Sequence, residues 1–249
     1  MIRTVLLDVG WTLAYPQRSM WEIFADLCTE AGAPTTALAC EQILRSVWGP
    51  SQEQSEQRFR AGAQYPDSDE EFYTAFAGLG RFLFAHLGVP TDDASLMQRF
   101  MQRFWTEANW VRFPDVTEGL QALRARGVRL GVLSNAPSDL PRFLDHLGLS
   151  PHLDFVVVSA IEGVKKPDRR IFEAALSRAE ARPDEVLHVG DMYLEDVIGG
   201  RAAGVRTLLM ERGARALFPN YRESQGRPID AESLVTDLIQ VLDHVRQLG

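Results

Sequence analysis

The sequence predicts a doubly wound α/β fold with a parallel sheet and an α-helical domain inserted after the first strand. Three observations carry this. Short apolar runs recur along the chain, and each ends at glycine or a polar residue. Helical periodicity fills the intervals between those runs from about Pro114 onward. A long stretch after the first run carries helical patterns only.

The first run is residues 4–9, TVLLDV, stopped by Gly10. Residues 129–134 (RLGVLS) run into Asn135-Ala136-Pro137, and residues 155–159 (FVVVS) precede Gly163-Val164-Lys165-Lys166-Pro167. Residues 186–189 (VLHV) run into Gly190-Asp191, and residues 206–210 (RTLLM) into Glu211-Arg212-Gly213. Apolar runs without alternation suit strands covered on both faces. Between them, Val116, Leu120 and Leu123 repeat at helical spacing before Gly127. Leu140, Phe143, Leu144 and Leu147 do so before Gly148, and Ile171, Phe172, Ala175 and Leu176 follow a Pro-Asp helix start. Val197, Ile198 and Ala202 lead to Gly204, and Leu234, Leu238, Val241, Leu242 and Val245 predict a terminal helix.

Residues 15–112 show no strand pattern. Helices are expected over 21–30, 36–47, 70–87 and 93–105, while 49–69, rich in Gln, Ser and Gly, reads as a loop. The expected division is an α/β core of residues 1–14 and 113–249 and a helical domain of residues 15–112. Two linkers, near 14–19 and 111–115, would let the helical domain open and close over the strand ends. Its aromatics, among them Trp21, Phe24, Trp48, Phe76, Phe100, Phe104 and Trp110, are expected to form its own core.

Composition narrows the function. Of 249 residues 45% are hydrophobic and 24% charged, ordinary globular values that exclude a disordered or fibrous chain. The net charge of −8 argues against nucleic acid and anionic membranes as partners. No stretch approaches the length of a membrane span, and the N-terminal apolar run is too short for a signal peptide. Cys28 and Cys40 fit buried free thiols and match no zinc spacing. A soluble cytoplasmic monomer or homodimer is expected. Lysine is used twice, at Lys165 and Lys166, in a chain that otherwise uses arginine. That concentration suggests a spot needing a compact ammonium on a flexible stem.

Ligands of doubly wound sheets bind beyond the carboxyl ends of the strands. There this sequence gathers Asp8 and Thr12, then Ser134 and Asn135, then Lys165 and Lys166, then Asp191 and Asp196. Any one carboxylate serves equally well as a helix cap. Four polar strand ends in succession are harder to explain that way.

These pieces carry a resemblance. LLDVGWTL (6–13), VLSN (132–135), GVKKPD (163–168) and VGDMYLEDV (189–197) stand in the order of the motifs of the haloacid dehalogenase superfamily hydrolases. The chain resembles that family over nearly its full length, and the helical insert resembles its C1-type cap on a Rossmann-like core. The resemblance implies a phosphohydrolase acting on a small phosphorylated metabolite. Asp8 would be the nucleophile, forming an aspartyl-phosphate. Asp8, the Gly10 carbonyl and Asp191 would hold Mg²⁺. Thr12 and Ser134 would donate to the phosphate, and Lys166, with Lys165 as second choice, would pair with nucleophile and phosphate. Asp196 would orient the site, Asn135 would hold its loop or touch substrate, and Trp11 would form pocket wall.

The sequence departs from the family at Gly10, where most of its phosphatases carry an aspartate that protonates the leaving group. General acid–base catalysis contributes typically about 10²–10⁴-fold. Three explanations stay open: a substrate with a good leaving group, a proton from elsewhere, or a phospholigand-binding relative with little turnover. Glu22, Asp26, His86 and Tyr15 are the nominal alternative donors, and Arg45, Arg58 and Arg60 are nominal contacts for an anionic substrate. A metal-independent 2-haloacid dehalogenase also lacks the second aspartate, but Asp191 beside Asp8 favours a cation. A Schiff-base hydrolase needs a lysine in the insert, where there is none.

Overall fold

The structure is a computed structural model, and it describes residues 1–89, 94–213 and 233–248. Six strands form one parallel sheet: β1 (Thr4–Leu7), β4 (Arg129–Ser134), β5 (Phe155–Val158), β6 (Val186–Gly190), β7 (Arg206–Met210) and β8 (Leu234–Val235). Their order is β5-β4-β1-β6-β7-β8. The first strand is therefore central. It pairs with β4 through Leu7↔Val132 and with β6 through Leu7↔Val189, so three strands end side by side.

The apolar runs of the sequence are buried on both faces. Val5, Leu7, Val132 and Val189 face one apolar cluster, and Leu6, Leu133 and Val186 face the other. That is the period of two expected of a strand. The second cluster is closed by α8 (Arg169–Ala179) through Ile171, Phe172 and Ala175. The first is closed by α5 (Val116–Ala125) and the C-terminal helix Leu238–Gln247 through Leu120, Leu123, Leu238, Val241 and Leu242.

Between β1 and β4 run α1 (Met20–Glu30), α2 (Ala37–Arg60), α3 (Asp69–His86) and α4 (Ala94–Phe104). Their starts follow from local chemistry. Ser19 and Glu22 form a capping box on α1, and Thr36 and Ser68 cap α2 and α3. Stacked Phe24 and Phe100, with ring centroids 4.2 Å apart, and buried Phe84 and Phe104 make their core, as the aromatic content predicts. This core is continuous with the first cluster of the sheet.

Three local expectations are corrected. The linkers contain strands: β2 (Ala14–Pro16) pairs antiparallel with β3 (Trp110–Arg112). Three-residue strands whose partners lie so far apart in sequence leave no alternation to read. Residues 49–60 are helix rather than loop, because Glu53, Gln54, Glu56 and Gln57 are good helix formers, and Arg60 pairs with Glu56 one turn back at 2.6 Å. Leu234 belongs to β8, and the terminal helix begins after Asp237, whose side chain accepts from Gln240 N. The expected helix start at Asp93 and the side chain of Trp48 lie outside the described residues.

Two glycines test this packing with opposite signs. In a helix Gly→Ala ordinarily stabilises by roughly 0.5–1 kcal/mol. Gly78 on α3 has open space where a Cβ would stand, so Gly78→Ala is expected to raise the melting temperature. Gly119 on α5 would place its Cβ 2.3 Å from Leu238 Cβ, an atom fixed to its backbone. Gly119→Ala is expected to cost about 1–3 kcal/mol by overpacking, read as a lower melting temperature in calorimetry.

Candidate active site

The site forms where β1, β4 and β6 end together. Asp8 directly follows β1, and its N–H donates to Val189 O at 2.9 Å, so the sheet ladder itself sets its height. The chain then turns back within residues 9–14. The N–H groups of Leu13 and Ala14 both donate to Val9 O, at 2.9 and 3.0 Å, and Trp11 takes the left-handed conformation with φ 51°. Arg212 clamps this turn from outside. Its Nε and Nη2 donate to Thr12 O at 3.0 and 2.6 Å, Nη1 binds Asp115, and the guanidinium lies 4.2 Å from the Phe113 ring centre.

Lys166 carries the electrostatics. Its ammonium is buried and donates to Asp8 Oδ1 at 2.9 Å, Leu133 O at 3.1 Å and Asp196 Oδ1 at 2.6 Å. Burial opposes its charge, but the two carboxylates overcome that and hold it protonated above the ordinary lysine range. Asn135 fixes the lysine's backbone reciprocally: its Nδ2 donates to Lys166 O at 3.0 Å, and Lys166 N donates to its Oδ1 at 2.8 Å. Asn135 thus ties the loop of Lys166 to the end of β4. The Ser134 side chain lies beside the Asp8 carboxylate and favours its charged form. The Thr12 hydroxyl is enclosed with no hydrogen-bond partner among the described residues.

Asp196 is saturated by the protein. Besides Lys166 it accepts from His188 Nε2 at 2.8 Å and from Met192 N at 2.9 Å, and Lys166 and His188 hold it ionised against its burial. It packs onto Gly190, where a Cβ would come within 2.1 Å of its carboxyl carbon. Asp191 has the opposite character. Burial, then the adjacent carboxylates Asp8 and Asp196, push its carboxyl well above the usual range, and Asp8 is raised by burial and by Asp196 despite Lys166. Asp8, Asp191 and Asp196 each present an oxygen within 4.8 Å of the others. Hard oxygen donors with more negative charge than Lys166 can balance fit a divalent cation. With Asp196 already committed to the lysine, Asp8 and Asp191 are the oxygens left to hold one.

The adjacent Lys165 points elsewhere. Its N–H donates to Tyr65 O at 2.9 Å, and its ammonium lies 3.5 Å from Asp67 Oδ1. Asp67 N donates to Gly163 O at 3.2 Å, and Pro66 and Val164 form an antiparallel bridge. The helical insert is thus stitched to the loop that carries Lys166. Of the nominal proton donors, Glu22 caps α1, Asp26 pairs with Arg18, His86 bonds Phe82 O, and Tyr15 packs on Phe113. Arg45 and Arg60 pair with Glu41 and Glu56 on their own helix.

Sequence reasoning missed His188, Arg212 and Glu195. His188 is two residues before Gly190 on β6, so period-two spacing put it on the same face as Gly190, under Asp196. Arg212 is one arginine among many, and no local signal marks it. Glu195 immediately precedes Asp196; one of its oxygens is enclosed without a partner, and burial together with Asp196 pushes it up to about 7.

The chain is 31% identical over 223 residues to the human haloacid dehalogenase-like hydrolase domain-containing protein 3, covering 90% of this chain and 87% of that one. It is 36% identical over 133 residues to a phosphoserine phosphatase of Thermus thermophilus, covering 53% of this chain and 52% of that one. Its fold is similar to that of a magnesium-bound putative hydrolase, YfnB of Bacillus subtilis, with TM-score 0.70, 20% identity and 98% of both chains covered. The family model described as haloacid dehalogenase-like hydrolase matches residues 2–204, and the chain belongs to that family of hydrolases.

Proposed function

We propose that this hydrolase is a Mg²⁺-dependent phosphohydrolase that acts on a small phosphorylated metabolite through an aspartyl-phosphate on Asp8. The observation that carries the reading is the half-buried Asp191 carboxylate beside Asp8. Two such groups repel unless a cation joins them. The resemblance over half the chain to a phosphoserine phosphatase supports a phosphate monoester as substrate.

The residues divide the work. Asp8 attacks phosphorus with one carboxylate oxygen; Lys166 holds that carboxylate ionised and faces the phosphoryl oxygens. The Ser134 and Thr12 hydroxyls take the remaining phosphate oxygens, which gives the enclosed Thr12 hydroxyl its partner. Bound Mg²⁺, held by Asp8, Asp191 and the Gly10 carbonyl, would neutralise charge on the transferring group. Asp196 and His188 keep Lys166 in place. Residues 15–112 act as a cap over the strand ends, with residues 64–67 as its contact to the lysine loop.

A metal-independent dehalogenase leaves Asp191 without a role. A phospholigand-binding relative keeps the same charges without turnover. A phosphate-ester screen with Mg²⁺ separates the readings. Activity that is lost in Asp8→Asn supports the enzyme; no turnover on any alkyl, aryl or acyl phosphate sinks it. Halide release from 2-haloacids without metal identifies the dehalogenase.

Two further outcomes are expected. Asp191→Asn weakens Mg²⁺ activation, read as at least about a tenfold higher Mg²⁺ requirement in titrated turnover. Lys166→Ala lowers kcat by about 10²-fold or more, whereas Lys165→Ala stays within about tenfold and acts mainly through the insert contact. Equal losses in steady-state kinetics contradict this division of the lysine pair.

A further inference from the structure

Gly10 leaves a space two residues beyond the nucleophile, and the structure shows what faces it. A Cβ built on Gly10 would meet one neighbour within 4 Å, Trp110 Cη2 at 4.0 Å. The place where related phosphatases carry an acid therefore opens onto an indole edge. The next residue is Trp11, in a left-handed conformation that a bulky side chain rarely adopts. Its N–H is tied to Ala14 O at 2.7 Å, and its ring meets Trp110 edge-on, with centroids 5.5 Å apart and planes at 72°. Trp110 is 4% exposed and backed by Trp105 at 5.5 Å. Trp105 is in turn pinned by its Nε1–H to Asp139 at 3.1 Å. Trp11 is the half-buried outer member of this row. A tryptophan in a strained backbone conformation thus directly follows Gly10, three residues beyond Asp8, with two indoles behind it.

We infer that the site is specialised for aryl phosphates, with the planar phenolic leaving group lying against Trp11. This rests on the phosphohydrolase reading above and names its substrate class. An Asp8 oxygen bonds to phosphorus while the P–O(aryl) bond breaks, and its electron pair leaves on the phenolate oxygen. Water then attacks the phosphorus of the aspartyl-phosphate, returning the Asp8 carboxylate and releasing hydrogen phosphate. The second proton of that water goes to solvent, from which the phenolate is protonated. The sum is aryl phosphate plus water giving phenol plus hydrogen phosphate. A phenol ionises near pH ~10, as tyrosine does, so its oxygen departs without a proton donor. An alkoxide is far more basic, and for it the missing acid costs the typical ~10²–10⁴-fold. Where the acid is missing the site is lined with indole, which recognises a leaving group not needing one.

The test is a substrate series with the full chain and Mg²⁺: substituted phenyl phosphates of graded leaving-group acidity, cyclohexyl phosphate and acetyl phosphate. Expected are a kcat/KM for phenyl phosphate at least ~100-fold above cyclohexyl phosphate, and a steep fall as the phenol becomes less acidic. Trp11→Asn, which suits the left-handed backbone, is expected to lower the phenyl-to-acetyl phosphate ratio of kcat/KM about tenfold, mainly through KM. Trp11→Phe is expected to restore most of that ratio. Comparable rates on cyclohexyl and phenyl phosphate overturn the inference. So does a shallow leaving-group dependence that Glu195→Gln makes steep, which would assign Glu195 as the acid. A ratio unmoved by Trp11→Asn also overturns it, since the ring would then only pack. If wild type and Asp8→Asn are equally inactive on every substrate, it is instead the phosphohydrolase reading that fails.

Discussion

The site depends on one buried ammonium. Lys166 brings a single positive charge among the buried Asp8 and Asp196 and the half-buried Asp191, gathered at the end of the sheet. Burying charge costs several kcal/mol per ion unless geometry and hydrogen bonds repay it. For Asp196 they do, through Lys166, His188 and Met192 N. For the Asp8 and Asp191 pair they do not, since Lys166 is shared with Asp196 and burial with the nearby carboxylates raises both groups. The protein thus balances one carboxylate internally and leaves a deficit at two others, a charge balance that suits a divalent cation.

Strand order is what allows that concentration. Because β1 lies between β4 and β6, consecutive elements of the chain leave its two sides in opposite directions, and a crevice forms at its end. Asp8, Ser134 and Asp191 enter from three adjacent strands. The Lys166 loop comes from beyond β5, one strand further away, and must be carried inward. Its amide and carbonyl are clamped by the Asn135 side chain, and its ammonium reaches Leu133 O on the neighbouring strand. Gly190 completes the approach, since any side chain there would occupy the position of the Asp196 carboxylate.

What could be read from sequence follows the range of the interaction. Central strands announce themselves, because a strand covered on both faces must be apolar throughout, as in VLHV or RLGVLS. The charged residues at their ends were equally legible, since each directly follows such a run. Contacts made by pairing of distant segments were not. The β2–β3 ribbon joins residues nearly a hundred positions apart through three residues on each side, and the stitch of residues 64–67 to the lysine loop runs largely through backbone groups. Backbone pairing leaves no side-chain signature. Polarity also misled: in Glu53, Gln54 and Gln57 it marks the solvent side of a helix, not a loop.

The two lysines, which composition set apart together, have different surroundings in the structure. The Lys166 ammonium meets three acceptors at 2.9, 3.1 and 2.6 Å around a single nitrogen. A guanidinium is planar and spreads its donors over several ångströms, so it cannot converge on those acceptors in an enclosed space. Arginine is excluded there by shape, not by charge. Lys165 meets one acceptor at 3.5 Å, and its firmer contact is its own backbone N–H to Tyr65 O, which any residue but proline would supply. One lysine is therefore demanded by geometry at the reaction centre. The other occupies a position whose requirement is for a peptide group, at the seam where the helical insert is fastened to the loop that its neighbour serves.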